Sequence, residues 1–82
     1  MTPAVIEVFP QDNYRVLVVF ANGERRVLDM KPYLDFGVFQ TLKDDNAFKQ
    51  VRVAFDTIEW GSSVDLDPEF VYRKSEKLHS VS

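Results

Sequence analysis

The side chains of this 82-residue chain most able to do chemistry crowd into one stretch, TIEWGSSVDLDPEFVYRK, residues 57–74. Ser62 and Ser63 follow the single tryptophan, Trp60, and the carboxylates of Glu59, Asp65, Asp67 and Glu69 lie to either side. A serine nucleophile needs a base in hydrogen-bond reach, normally a histidine oriented by a carboxylate. The one histidine, His79, sits close to the C-terminus, where chains tend to fray. WGSSV is also not the G-x-S-x-G elbow of serine hydrolases. The plainer reading is a loop in which Gly61 turns the chain and the hydroxyls satisfy backbone groups.

Asp65 and Asp67 stand two apart, on one side of an extended segment. A calcium loop requires D-x-D-x-D-G followed by a glutamate, and that register is absent. Paired carboxylates for glycoside chemistry need a cleft, and a chain this short has little room for one. A helix start accounts for the acids better. Asp67 is placed as an N-cap, facing the positive end of the helix, and Pro68 occupies N1, where a missing N–H is no loss. Glu69 complements the dipole in the first turn, and Leu66 with Val71 match a hydrophobic staple. Glu69 and Arg73 form an i, i+4 pair in the favourable order. Phe70, Val71 and Leu78 supply the buried stripe of this helix, with Lys77 in its later turns.

Arg25, Arg26 and Lys31 form a small basic group, which Arg15 could join beside Tyr14. Cations on a sheet face with a nearby aromatic resemble a nucleic-acid surface, and a solvated hairpin is the alternative. Asp and Glu outnumber Lys and Arg by 13 to 10, for a net charge of -3, which argues against broad nonspecific binding to nucleic acid. The three glycines, Gly23, Gly37 and Gly61, are isolated, so no phosphate-binding loop is present. With no cysteine there is no disulfide, thiolate metal site or thiol nucleophile, which fits a reducing cytoplasm. The N-terminus lacks the pattern of a signal peptide, and no apolar run approaches the ~18 residues of a membrane span.

The elements that must position these residues follow from periodicity and turn chemistry. AVIEVFP, 4–10, is strand-like, and QDN makes a turn. YRVLVVF, 14–20, reads as a strand covered on both faces, or on one face by the core and on the other by a partner. Asn22-Gly23 is the strongest hairpin signal, expected as a two-residue type I′ turn. That turn would set Phe20 against Arg25, Val19 against Arg26, Val18 against Val27 and Leu17 against Leu28, with both arginines near a wet tip. In the middle, Pro32 starts a short helix through Tyr33 and Leu34 that Gly37 ends. Val38, Phe39 and Leu42 form a helical stripe, and Asp44 or Asp45 caps a turn carrying Phe48 inward. VRVAF, 51–55, places Val51, Val53 and Phe55 on one face. Asp56-Thr57 turns the chain, and Ile58 and Trp60 return on one face, with Trp60 packing near Ile58 and Leu66.

The expected fold is one α+β domain over 1–82, with a frayed tail at 79–82. It is a small antiparallel β-sheet of two hairpins plus an N-terminal strand, with short middle helices and a C-terminal helix. A chain of this size buries only roughly 60 to 65% of its unfolded surface, so its core is thin and a partner chain could add to its stability. The sheet edge at TPAVIEVF carries few charges and suits addition of a strand from a partner protein or a second copy.

YRVLVVFANGERRVLDMKPYL, VFQTLKDDNAFKQVRV and IEWGSSVDLDPEFVY together resemble the bacterial domain-of-unknown-function 2442 family. The matching positions are Gly23, Asp29, Leu34, Phe39, Leu42, Phe48, Val51, Trp60, Asp65, Leu66 and Pro68. Many members have W-P or W-x-N where this chain has Trp60-Gly61-Ser62, so the loop departs from the pattern. The resemblance implies a small α+β domain with an antiparallel sheet and no established enzyme activity. Some longer members look like this domain followed by a helix-turn-helix repressor-like domain, which this chain is expected to lack. Members are often encoded beside another small protein, which implies a two-component, toxin–antitoxin-like arrangement.

The sequence therefore points to a small cytoplasmic interaction or regulatory module rather than an enzyme, with no catalytic, cofactor or metal residues. Its candidate interaction surface is Trp60, Ser62, Ser63, Asp65, Arg25 and Arg26. A nucleic-acid-associated regulator using Arg15, Arg25, Arg26 and Lys31 is the alternative. A small ligand- or metal-binding domain built on Asp65 and Asp67 is a third.

Overall fold

The turn after β2 decides which residues of the first hairpin face inward. In the computed structural model, which describes residues 2–61 and 64–78, β1 (Val5–Gln11), β2 (Arg15–Phe20) and β3 (Arg25–Asp29) form an antiparallel meander. The connection from β2 to β3 is a three-residue loop, not the expected two-residue turn. The Gly23 amide donates to the Phe20 carbonyl and the Phe20 amide to the Glu24 carbonyl, both at 2.9 Å. Gly23 alone of the loop is left-handed, at φ +89°, as the bulge position of a three-residue hairpin requires. Asn22 spends its amide locally: its Oδ1 accepts from the Glu24 amide at 3.0 Å, and its Nδ2 donates to Glu24 Oε2 at 2.6 Å.

The extra loop residue shifts the expected register by one. Val16 faces Leu28, Leu17 faces Val27, Val18 faces Arg26 and Val19 faces Arg25. A one-residue shift exchanges the two faces of a strand. Leu28 is therefore buried beside Val16, Val27 lies on the outer face beside Leu17, and Arg26 points to the core side beside Val18.

β1 lies at the edge of this sheet, with a bulge between Val5 and Glu7. Pro10, on the same strand, lacks an N–H and is tolerated there because the edge is free. The turn between β1 and β2 is tight, with Asn13 and Tyr14 both left-handed.

The middle segment is mostly 3-10 helix. Lys31–Tyr33 forms one turn and Gly37–Lys43 a longer one, so Gly37 opens the second rather than closing the first. With three residues per turn, Phe39 and Leu42 stack on one side. Val38, expected in the same stripe, points to solvent. α1 (Asp45–Phe48) is capped by the Asp44 carboxylate, which accepts from the Ala47 amide, and Phe48 is fully buried.

β4 (Val51–Ala54), β5 (Thr57–Trp60) and β6 (Val64–Asp65) form a second antiparallel sheet. The two hairpins thus belong to separate sheets, tied by a 3.1 Å bond from the Val5 amide to the Asp56 carbonyl. The β4–β5 register pairs Val53 with Ile58 and Ala54 with Thr57, so the turn is Phe55-Asp56 and Thr57 already belongs to the strand. Thr57 is buried, its hydroxyl donating to the Leu66 carbonyl at 2.7 Å. Phe55, expected inward with Val51 and Val53, is instead the turn residue, left-handed at φ +56° and 100% exposed.

α2 (Pro68–Lys74) begins as the sequence indicates. Asp67 Oδ1 accepts from the Glu69 amide at 3.0 Å, and Leu66 and Val71 are both buried. The helix ends earlier than expected, because Ser75 is extended and Glu76–Lys77 form β7 against β3. β3 would otherwise carry an unpaired edge, and the returning chain satisfies it. Lys77 therefore lies in a strand, and Leu78 is half exposed rather than part of a buried helical stripe. The sheet order is β1-β2-β3-β7. One core joins the inner face of the first sheet (Val16, Val18, Phe20, Leu28) to Ile58 and Trp60 of the second, closed by Phe48, Leu66 and Val71. Residues 79–82, the expected frayed tail, lie outside the described residues. Among the described residues no helix is long and apolar enough to cross a membrane.

A β-carbon at positive φ costs on the order of 1 kcal/mol, and Asn tolerates that region far better than Phe. Phe55→Asn is therefore expected to stabilise the protein by about 1 kcal/mol. The check is a higher urea midpoint with an unchanged denaturant slope.

Candidate functional site

Of the residues singled out from the sequence, Trp60 is committed to the interior. It is 2% exposed, and its Nε1 donates to the Phe48 carbonyl at 2.7 Å. Its ring lies 5.8 Å from that of Phe48, which Tyr14 meets edge-on from elsewhere at 5.3 Å. Ser62 and Ser63 lie outside the described residues. Asp65 is exposed and pairs through the backbone with Glu59, whose own carboxylate holds Arg52 at 3.0 Å.

The four cations are not brought to one surface. Arg15 and Arg25 stand on the outer face of the first sheet, and Lys31 binds Asp29 at 3.4 Å. Arg26 is on the inner side, half-buried and engaged at every nitrogen. Its Nε donates to Ser75 Oγ at 3.0 Å, one terminal nitrogen to the Ser75 carbonyl at 2.9 Å, and the other to Glu24 Oε1 at 3.1 Å. The guanidinium also lies 4.4 Å from the centre of the Tyr72 ring, a cation–π contact. Tyr72 in turn meets Phe20 edge-on at 5.1 Å and donates its hydroxyl to Glu24 Oε2 at 2.6 Å. This cluster fastens α2 and β7 to the tip of the first hairpin. It replaces the exposed basic tip expected from the type I′ register.

The Tyr72 hydroxyl holds the Glu24 carboxyl below its ordinary range, helped by Asn22 and then Arg26 against a desolvation penalty. The same bond raises the Tyr72 phenol, because the negative carboxylate disfavours a phenolate beside it.

An apolar groove lies on the other side of α2. Tyr33, Phe36, Phe39, Leu66 and Phe70 line a groove of about 380 Å³, with Asp65 and Asp67 on its rim. Tyr33 and Phe70 meet edge-on at 5.2 Å and form its floor. Phe36 is 65% exposed, held between the two 3-10 segments by its amide bond to the Tyr33 carbonyl at 3.1 Å. Gly37, left-handed at φ +46°, turns the chain behind it. The Asp67 carboxylate is occupied by the helix cap. No ion pair among the described residues engages Asp65. Sequence reasoning missed Phe36 and Phe70 as surface residues because an apolar type in an apolar run reads as core. The signal that could have found Phe36 is its place directly before Gly37, where a turn brings the chain to the surface. Among the described residues no group of three His, Cys, Asp or Glu side chains is placed to hold a metal ion.

The model of the family described as protein of unknown function (DUF2442) matches residues 5–77. The chain belongs to this family. No curated protein and no solved structure matches it. In this DUF2442 domain the positions behind the resemblance have structural tasks. Trp60 and Leu66 build the core, and Pro68 opens α2. Of the groove lining, Phe39, Asp65 and Leu66 are among those positions, whereas Tyr33, Phe36, Asp67 and Phe70 are not.

A carboxylate whose pKa is lowered by folding adds stability above its unfolded value, near 4.5 for Glu24. That stability disappears as pH falls through the lower folded value. Tyr72→Phe removes the chief cause of the lowering. It is expected to destabilise the protein at neutral pH, by a margin that shrinks as the pH drops below 4.5. Urea unfolding of both proteins at pH 7 and pH 3 measures it, and an equal margin at both pH values would contradict the role given to the Tyr72–Glu24 bond.

Proposed function

We propose that this protein is a small stoichiometric binding module that grips a segment of a partner protein in the Tyr33–Phe36–Phe39–Phe70 groove. The observation that carries this reading is Phe36, an aromatic side chain 65% exposed at the mouth of an aromatic-lined groove. Burying such a ring against a partner is worth roughly 1.5 to 3 kcal/mol, and aromatic anchors in pockets are the usual centres of binding energy. The Asp65 carboxylate on the rim, together with the net charge of -3, selects an apolar anchor followed by a lysine or arginine.

Strand addition at β1 is the weaker mode. Its bulge and Pro10 leave only Glu7, Val8 and Phe9 as a regular edge, and both devices are ones that discourage edge pairing. The split placement of Arg15, Arg25, Arg26 and Lys31 gives a nucleic-acid reading no continuous basic surface. The absence of cysteine, which leaves no thiol nucleophile, supports binding rather than catalysis, in the cytoplasm. The two-component arrangement implied by the family resemblance names the partner to try, the small protein encoded alongside.

Isothermal titration of that protein into this one is the test. Phe36→Ala is expected to weaken binding by about tenfold or more while leaving the melting temperature unchanged, since Phe36 supports little of the core. Asp65→Asn is expected to weaken it less, and chiefly at low salt. No binding by the wild-type protein, or binding indifferent to Phe36→Ala, would refute the proposal.

A further inference from the structure

The outer face of the first sheet is apolar, and nothing within the described residues packs over it. Ile6 is 53% and Phe9 46% exposed. Leu17, Val19 and Val27 are half-buried by their strand neighbours, yet none belongs to the core or packs against it. Leu78 extends this face: its amide donates to the Arg25 carbonyl at 2.8 Å, which places its side chain on the same side as that of Arg25. A contiguous patch of this kind on an open sheet marks an interaction surface.

The charges around the patch identify its occupant. Cross-strand register places Glu7, Val19, Arg25 and Leu78 in one row, Phe9, Leu17, Val27 and the exposed Glu76 of β7 in the next, and Gln11, Arg15 and Asp29 in the third; Glu76 lies one strand beyond Val27, outside the three strands that the proposed pairing lays over each other. Glu7 and Arg25 therefore flank the apolar centre on opposite sides, and neither forms an ion pair among the described residues. We infer that this face docks a second copy of the chain, sheet on sheet, about a two-fold axis running along β2. That operation lays Glu7 of each copy over Arg25 of the other and Phe9 over Val27. Leu17 and Val19 meet their own counterparts on the axis, as an isologous interface requires. Open sheets pack face to face at about 10 Å, a distance that these side chains fill. Arg15 meets its counterpart at the end of the patch, where its cross-strand neighbour Asp29 offsets the charge. The groove of the proposed function is built on α2, which packs on the opposite side of this sheet, so the two surfaces stand or fall separately.

Sedimentation velocity over a concentration series tests the inference directly. The wild-type protein is expected to dimerise at micromolar concentration. Glu7→Arg or Arg25→Glu alone sets like charges opposite each other across the axis and is expected to weaken the dimer at least about tenfold. The double exchange Glu7→Arg/Arg25→Glu is expected to restore it, because the pairs are re-formed between copies. Circular dichroism confirms that each variant is folded. As a measurement independent of the exchanges, Leu17→Cys is the only thiol in a chain without cysteine. A short bismaleimide is expected to join two such chains. A wild-type monomer at about 1 mM, a dimer untouched by the single exchanges, or a double exchange that stays monomeric would each overturn the inference.

Discussion

The three-residue loop Ala21-Asn22-Gly23 is the constraint on which most of this structure depends. It fixes the register of β3 against β2, and register alone decides which side chains of β3 face inward. With the observed loop, Leu28 fills the core beside Val16, and Arg26 lies beside Val18 on the core side. A long cation in that place needs partners for all its donors. Glu24, Ser75 and the ring of Tyr72 supply them, and two of those residues, Tyr72 and Ser75, come from the far end of the chain. Arg26 thereby ties α2 and β7 to the first hairpin, alongside the core packing of Val71 and the pairing of β7 with the edge of β3. A two-residue turn would have placed Arg26 in water and left the C-terminal segment with far less to hold.

The same register produces the outer face. Leu17 and Val27 are cross-strand partners there, flanked by Phe9 on β1. Apolar residues accumulate on both sides of β2, which explains why YRVLVVF looks like a strand with two covers when only one is supplied by its own fold. The second sheet and α2 occupy the inner side alone.

Much of this was legible in the sequence. The helix start at Asp67-Pro68, the capped turn at Asp44 and the strands 5–11, 15–20 and 51–54 all follow from local chemistry that acts within a few residues. The failures share a cause, since each depended on something distant. Asn-Gly is compatible with two loop lengths, and only the fit of Leu28 and Arg26 against residues far along the chain separates them. The end of α2 at Ser75 follows from the open edge of β3, which no helix propensity encodes. Phe55 looked buried because its spacing continued the alternation of Val51 and Val53, but pairing of Thr57 with Ala54 made it the turn. Of the residues lining the proposed groove, the sequence reading singled out Asp65 as a surface residue and passed over Phe36 and Phe70. Phe36 and Phe70 are apolar, and sequence pattern alone assigns apolar residues to the interior.

The cluster around Arg26 also sets the order in which the chain can fold. Its hydrogen bonds to Tyr72 and Ser75 span 48 and 49 residues, and loop closure of that length precedes any gain from them. As the chain leaves the ribosome, the first hairpin is complete long before those partners exist. Its inner face meanwhile carries a cation, Arg26, whose only partners are Glu24 and water. The contacts that fasten α2 and β7 to the hairpin therefore wait for the C-terminal segment. A fragment ending before Ser75 would keep every core residue but leave Arg26 without its Ser75 acceptors and β3 with an open edge.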